Sequence, residues 1–169
     1  CLVDGKMDGH RKITHAGNIF GFAADFAYYP DDDLTIAIAT NGQGTAFPPI
    51  SIERKLARLY LGLAPLVAVD APVPADLGTA LAGDYQVGAF RMGFEKLGFV
   101  FQDGVLKASF GGVGSGAPLL PLRHQGNGRF VSSVDDEVAI DFTQQPDGAV
   151  EMVLYFYEGA IRAAKAAGR

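Results

Sequence analysis

The sequence predicts an α+β chain in two parts, an antiparallel sheet edge with one helix followed by a small antiparallel β-barrel of about eight strands. Three observations predict it. Apolar residues alternate with period two over residues 20–29 and 34–41, a helical apolar stripe follows over residues 50–61, and short strands recur from residue 83 onward. With 49% hydrophobic and 20% charged residues, the chain has enough apolar surface to fold around a core.

The first strand predicted in detail covers residues 20–29, where Phe20, Phe22, Ala24, Phe26 and Tyr28 share one face. Residues 30–33, Pro-Asp-Asp-Asp, then predict a turn. Residues 34–41 predict a second strand and complete a hairpin. The small side chains of Thr35, Ala37 and Ala39 lie on one of its faces, and we expect the helix to pack closely there.

The helix predicted over residues 50–61 begins after two prolines and ends at Gly62. Its apolar residues fall at i, i+4, i+7 and i+8, and we call them the α1 stripe: Ile52, Leu56, Leu59 and Tyr60. The charged residues lie mainly on the opposite side: Glu53, Arg54, Lys55 and Arg58. The pattern therefore predicts that the stripe faces the sheet and the charges face solvent.

Residues 63–80 contain three prolines and few charges, which predicts a semi-rigid linker. We therefore divide the chain into a first part over residues 1–62, the linker, and a barrel over residues 81–169. The barrel strands are predicted at 84–87, 90–97, 99–102, 105–110, 119–124, 129–132, 138–143 and 150–157, with 159–169 as a last strand or a short helix. Closure into a barrel is expected because open edges of this length would favour aggregation.

The phenylalanines of the second part are interpreted as barrel core rather than as a ligand cage: Phe90, Phe94, Phe99, Phe101, Phe110, Phe130, Phe142 and Phe156. The glycine-rich run over residues 110–116 lacks the lysine and helix of a phosphate-binding loop and predicts a mobile loop.

Charge and residue counts exclude several classes of partner. A net charge of −5 argues against nucleic acid. One cysteine and three scattered histidines give no metal-ligand spacing, so neither a metal nor another cofactor is expected. No apolar run reaches the ~20 residues of a membrane span.

One segment resembles a catalytic motif. His15-Ala16-Gly17, the apolar hairpin after it and the Thr40-Asn41 that ends this hairpin resemble the third motif of the serine β-lactamase and DD-peptidase superfamily, especially its class C and esterase-like branch. In that bacterial, penicillin-binding-protein-like family a terminal helix covers the same sheet, as residues 50–61 could. Residues 81–85, Leu-Ala-Gly-Asp-Tyr, resemble the opening of the small lipocalin-like barrel appended to many such hydrolases.

The resemblance implies a serine hydrolase that acts by acyl transfer on an amide, ester or lactam. His15, Ala16 and Gly17 would bind a small-molecule or peptide substrate, His15 would polarise it, and the N–H of Asn18 would complete an oxyanion hole. Neither Ser-x-x-Lys nor Tyr-x-Asn occurs in the sequence, so we expect this chain to be inactive by itself.

The resemblance also implies that the nucleophile belongs to a missing N-terminal part, so that Cys1 marks a cut in a longer chain rather than a processed nucleophile or a lipid-bearing terminus. It is compatible with a periplasmic or secreted protein. Open sheet edges predict dimerisation, strand swapping or poor order. The alternative is a non-catalytic binding or structural β-barrel module that recognises an apolar ligand, a peptidoglycan fragment or a partner protein.

Overall fold

The computed structural model describes residues 2–42, 48–87, 95–156 and 159–166. The chain divides into two compact units, Cys1–Leu66 and Val67–Arg169. The finer limits predicted from sequence, at residues 62 and 80, stay a prediction. Cys1, Phe90 and Phe94 lie outside the described residues, as does most of the strand predicted over 90–97.

The first unit is a four-stranded antiparallel sheet with one helix. Its elements are β1 (Val3–Met7), β2 (His10–Ile19), β3 (Phe22–Tyr29), β4 (Leu34–Thr40) and α1 (Pro49–Tyr60), and the strand order is β1-β2-β3-β4. The predicted hairpin corresponds to β3 and β4, and the predicted helix to α1. Asp33 adopts a positive φ of 49° in the turn between the two strands.

The helix orientation predicted from the α1 stripe is wrong. Glu53, Arg54 and Arg58 are buried. Leu56, Leu59 and Tyr60 are exposed by 43%, 79% and 68%. The helix therefore turns its polar side toward the protein and its apolar side outward.

Polar groups of the sheet explain this orientation. Lys12 on β2 is fully buried, and its Nζ donates a hydrogen bond to Glu53 Oε2 at 2.6 Å. The hydroxyl of Tyr29 donates to Glu53 Oε1 at 2.7 Å. Arg58 forms an ion pair with Asp8. Because buried charges require partners, these pairs hold the polar side of α1 inward.

The helix also packs on the other face of the hairpin from the one predicted. Side chains alternate along a strand, and on β4 the larger residues Leu34, Ile36 and Ile38 share the face on which Ala27 and Tyr29 contact α1. We call this the helix-side face. Thr35, Ala37 and Ala39, expected to receive the helix, lie exposed on the opposite face, which we call the open face.

The second unit confirms the predicted antiparallel barrel. Its elements are α2 (Ala75–Leu81), β5 (Gly83–Gln86), β6 (Lys96–Gln102), β7 (Val105–Phe110), β8 (Leu120–Gly126), β9 (Arg129–Ser132), β10 (Val138–Gln144), β11 (Val150–Phe156) and β12 (Gly159–Ala164). They form an eight-stranded sheet in the order β12-β11-β10-β9-β8-β7-β6-β5. Its ends meet because Ala166 donates its N–H to the carbonyl of Asp84 at 2.7 Å and Lys165 Nζ donates to the carbonyl of Ala80 at 2.7 Å.

Aromatic rings fill the barrel. Tyr85, Phe99, Phe130 and Phe142 are buried and make edge-to-face contacts with centroids 5.0–5.7 Å apart. Burial raises the pKa of the Tyr85 hydroxyl well above its usual value. Phe101 and Phe156 pack partly buried against this core. The prediction is wrong for Phe110, which is 39% exposed.

Two features around the barrel differ from expectation. The region predicted as a linker contains α2, whose Gly78 lies against the ring of Phe101. The glycine-rich run, predicted to be mobile, is fastened to β5, because Val113 donates its N–H to Asp84 Oδ1 at 2.7 Å. Gly98 lies directly beneath this run, where a Cβ would come within 2.4 Å of the Val113 nitrogen. Both features depend on close backbone approach rather than on an apolar pattern.

Candidate functional site

The open face of the four-stranded sheet forms a shallow hollow of about 700 Å³. We call it the small-residue trough and define it by the open-face residues that line it: His15, Gly17, Ala24, Phe26, Ala37 and Ala39. These residues come together because His15 pairs with Phe26 and Gly17 with Ala24 across two strands. Ala37 and Ala39 continue the same rows on β4. Glycine and alanine therefore form the row Gly17–Ala24–Ala39. The larger side chains of His15 and Phe26 lie in the adjacent row with Ala37.

His15 contributes a polar side chain to the trough, and Gly17 leaves the backbone beside it accessible. The His15 side chain is exposed and forms no hydrogen bond or ion pair with any other described residue. A Cβ added to Gly17 would meet no heavy atom within 4 Å. An imidazole is thus available to a ligand beside a stretch of accessible backbone.

The structure brings together two of the four predicted site residues. His15 and Gly17 share the open face. Ala16 pairs with Asp25 and Asn18 with Ala23, so their side chains lie on the helix-side face. The substrate-binding role predicted for Ala16 and the role predicted for the backbone N–H of Asn18 stay predictions.

Sequence reasoning did not include Phe26, Ala24, Ala37 and Ala39 in the site, although the signal was present. Period-two alternation had placed Phe26 with Ala24 and Ala37 with Ala39 on common faces. Assigning the small face to helix packing removed it from consideration as a binding surface.

The trough borders a strand edge. β1 pairs with His10–Thr14 only, so residues 15–19 of β2 have a strand partner on the β3 side alone within the described part of the chain. We call residues 15–19 the unpaired segment of β2. All five of these residues are exposed. An unpaired strand edge presents backbone donors and acceptors to which another strand can bind.

The described residues that line the hollow include one imidazole, from His15, and one carboxylate, from Asp25. None of these described residues is a serine, threonine or cysteine. The carboxylate of Asp25 accepts a hydrogen bond from the Thr14 hydroxyl at 3.4 Å and belongs to the helix-side face. Across residues 2–42, 48–87, 95–156 and 159–166, acidic, histidine and cysteine side chains form no group of three suited to a metal ion. The acyl-transfer role of His15 stays untested.

Comparison with known proteins gives no family. No family model matches the sequence, and no curated protein matches it. Among solved structures, one of SurE with D-Leu matches over 96% of this chain, with 21% sequence identity and a TM-score of 0.49. Another structure of SurE also matches over 96% of this chain, with 22% identity and a TM-score of 0.48. An octameric penicillin-binding protein homologue from Pyrococcus abyssi covers 97% at 18% identity with a TM-score of 0.40. The chain spans 36–37% of the length of these proteins.

These findings correct the family interpretation. The assignment of residues 13–22 and of the following hairpin to the β-lactamase and DD-peptidase superfamily is wrong, since neither a family model nor a curated protein matches the chain. The description of the chain as part of a β-lactamase-like or penicillin-binding-protein-like serine hydrolase rested on this assignment and has no other support. Of the expected partners, one point holds: no helix among the described residues has the length and apolarity to cross a bilayer.

Proposed function

We propose that the unpaired segment of β2, as the described residues leave it, accepts by strand addition a short, extended peptide with alternating apolar side chains. The observation that carries this proposal is the position of that segment beside the small-residue trough. In strand addition, backbone hydrogen bonds hold the peptide and every second side chain enters a pocket. The trough would receive such a side chain over Gly17 and Ala24, and His15 would donate to or accept from a peptide group.

The affinity expected from this geometry is low. Burying one valine or leucine side chain contributes about 1.5–3 kcal/mol. Three or four backbone hydrogen bonds add about 1 kcal/mol each. Association costs at least about 4 kcal/mol, so the net binding free energy is at most about 3 kcal/mol and we expect a dissociation constant of about 6 mM or weaker.

The experiment is an NMR titration of the ¹⁵N-labelled chain with the peptide acetyl-Thr-Val-Lys-Val-Thr-Val-amide. We expect saturable shifts of the amide signals of residues 15–19. A peptide of the same sequence with N-methylated valines keeps the side chains but loses donors, and it is expected to bind at least about tenfold more weakly. Equal binding of the two peptides, or shifts confined to the barrel, would refute strand addition.

A matched pair of variants tests the trough itself. Gly17→Leu adds a side chain into it, and a Cβ at this position would meet no heavy atom within 4 Å. Ala16→Leu adds the same group to the helix-side face of the same strand. We expect Gly17→Leu to abolish the shifts and Ala16→Leu to retain them.

The alternative of an apolar ligand inside the barrel receives no support from the described residues. The rings of Tyr85, Phe99, Phe130 and Phe142 occupy the lumen themselves.

A further inference from the structure

We infer that residues 69–72, which we call the strap, close a gap in the wall of the barrel and open locally while the rest of the barrel stays folded. The gap lies between β7 and β8. These strands are six and seven residues long, yet they pair at two positions only, Lys107 with Pro121 and Ala108 with Leu120. Over residues 122–126, β8 therefore pairs with a strand only on its β9 side.

The strap takes the place that β7 leaves. Ala71 donates its N–H to the carbonyl of His124 at 2.9 Å and pairs with this residue in antiparallel orientation. His124 also pairs with Phe130 of β9. Because the two partners of a strand residue lie on opposite sides of it, Ala71 lies on the side of β8 that faces β7. The strap is thus a short piece of extended chain within the barrel wall.

The hydrogen bonds that hold the strap reach two consecutive residues of β8. The side chain of Gln125 bonds both backbone groups of Val69, because its Oε1 accepts the N–H at 2.8 Å and its Nε2 donates to the carbonyl at 2.6 Å. The ring of His124 bonds the carbonyl of Pro72 through Nδ1 at 2.9 Å. Val69, Asp70 and Pro72 are exposed. Segments that bury so little apolar surface are the ones that open locally.

His124 opposes closure of the strap while it also holds it. The residue is 6% exposed, and its ring stacks on Phe130 with centroids 4.8 Å apart. Because a carbonyl oxygen only accepts, the bond to Pro72 places the hydrogen of the neutral ring on Nδ1 and leaves Nε2 as an acceptor. Nε2 is buried, and no described residue donates to it. A buried acceptor without a donor costs free energy, which hydration of the ring in the open state recovers.

Opening ends before α2, which is held more firmly. Leu81 of this helix is fully buried, and Gly78 lies against the ring of Phe101. Lys165 Nζ also donates to the carbonyl of Ala80 at 2.7 Å. The open state therefore keeps α2 on the barrel and presents the backbone of residues 122–126 and the His124 ring to solvent. The strap acts as a gate over this part of the aromatic core.

Hydrogen exchange of the full chain tests the inference. We expect the strap amides, corrected for intrinsic rates, to exchange at least about a hundredfold faster than those of β10 and β11. Their rate should not change with urea below the unfolding transition, because a local opening exposes little surface. Protection equal to that of β10, or a urea dependence equal to it, would overturn the inference.

A pair of glutamine variants tests the anchors of the strap. Gln125→Ala removes both bonds to Val69 and should raise the exchange rate of the strap about tenfold or more. The matched control is Gln145→Ala, which shortens a glutamine between β10 and β11 and should leave the strap unchanged. An equal effect of the two variants on the strap would contradict anchoring through Gln125.

The His124 ring reports on the open state directly. Exchange of its C2 hydrogen requires solvent, so its plateau rate at alkaline pH should be lower than that of the exposed His15. Ala71→Pro removes the N–H that bonds His124 and should bring the two rates together. Ala68→Pro is the control just ahead of the strap, at an N–H without a hydrogen bond to any described residue, and should leave His124 slow. A slow His124 in Ala71→Pro would overturn the inference. These measurements contain no peptide and concern the second unit, so their outcome is independent of the proposed binding function.

Discussion

The buried pair between Lys12 and Glu53 allows a quantitative prediction. Both side chains have 0% exposure, and Glu53 also accepts the Tyr29 hydroxyl. Removing one partner breaks a buried ion pair, which costs about 3–5 kcal/mol of unfolding free energy. Lys12→Met is expected near the lower end of that range because Glu53 keeps its bond to Tyr29. Glu53→Leu is expected near the upper end because Tyr29 also loses its carboxylate acceptor.

The double variant distinguishes a charge effect from a packing effect. Lys12→Met with Glu53→Leu removes both charges and retains similar side-chain volume. Since the desolvation of both ions is removed together, we expect it to cost less than either single variant. The coupling free energy from the double-mutant cycle should therefore be at least about 3 kcal/mol.

The assay must report on the first unit alone, because a chain with two units need not unfold in one step. Hydrogen exchange followed by mass spectrometry on peptides covering β3 and β4 gives the local opening free energy. The exposed pair Arg11–Asp4 provides the control cycle, in which we expect no measurable coupling. Single variants at residues 12 and 53 that each cost less than about 1 kcal/mol would refute the reasoning.

Two further predictions concern the barrel. Burial raises the pKa of Tyr85 in the folded state. The neutral Tyr85 hydroxyl therefore contributes fully to stability below its unfolded pKa of ~10. This contribution is lost as the pH rises above that value, by up to about 1.4 kcal/mol per pH unit. In urea unfolding followed by circular dichroism, Tyr85→Phe should reduce this alkaline loss, and an unchanged slope would contradict the assignment. Gly78→Ala should destabilise the barrel by about 1–3 kcal/mol, because the added Cβ would lie 2.3 Å from the Phe101 ring. This cost exceeds the gain from the better helix propensity of alanine. If Gly78→Ala instead stabilises the barrel, the Phe101 ring must move aside.

The sequence was sufficient for elements whose signal is local. The hairpin of β3 and β4 follows from period-two alternation and the turn at residues 30–33. The barrel strands follow from short apolar runs between turns, among them the turn in which Asp103 and Gly104 adopt positive φ. Each of these signals resides in neighbouring residues, so no tertiary information was required.

Orientation could not be predicted in the same way. The α1 stripe has regular helical spacing, yet the face that packs is chosen by Lys12, 41 residues away from Glu53 in sequence. An amphipathic pattern specifies two faces of a helix, and only the partner surface decides which one is buried. The same error placed the small face of β4 against the helix, whereas it lies on the open face. The small-residue trough was therefore not predicted from the sequence.

Closure of the barrel has a consequence for how the second unit folds. The contact that completes it joins β5 to the residues that follow β12, with Lys165 reaching Ala80 across 85 positions of sequence. Pairing of such distant segments has a large loop-closure entropy and slows folding. Until Lys165 and Ala166 dock, the edge of β5 is available to other strands. We therefore expect β5 to be the barrel strand most exposed to intermolecular pairing while the second unit folds.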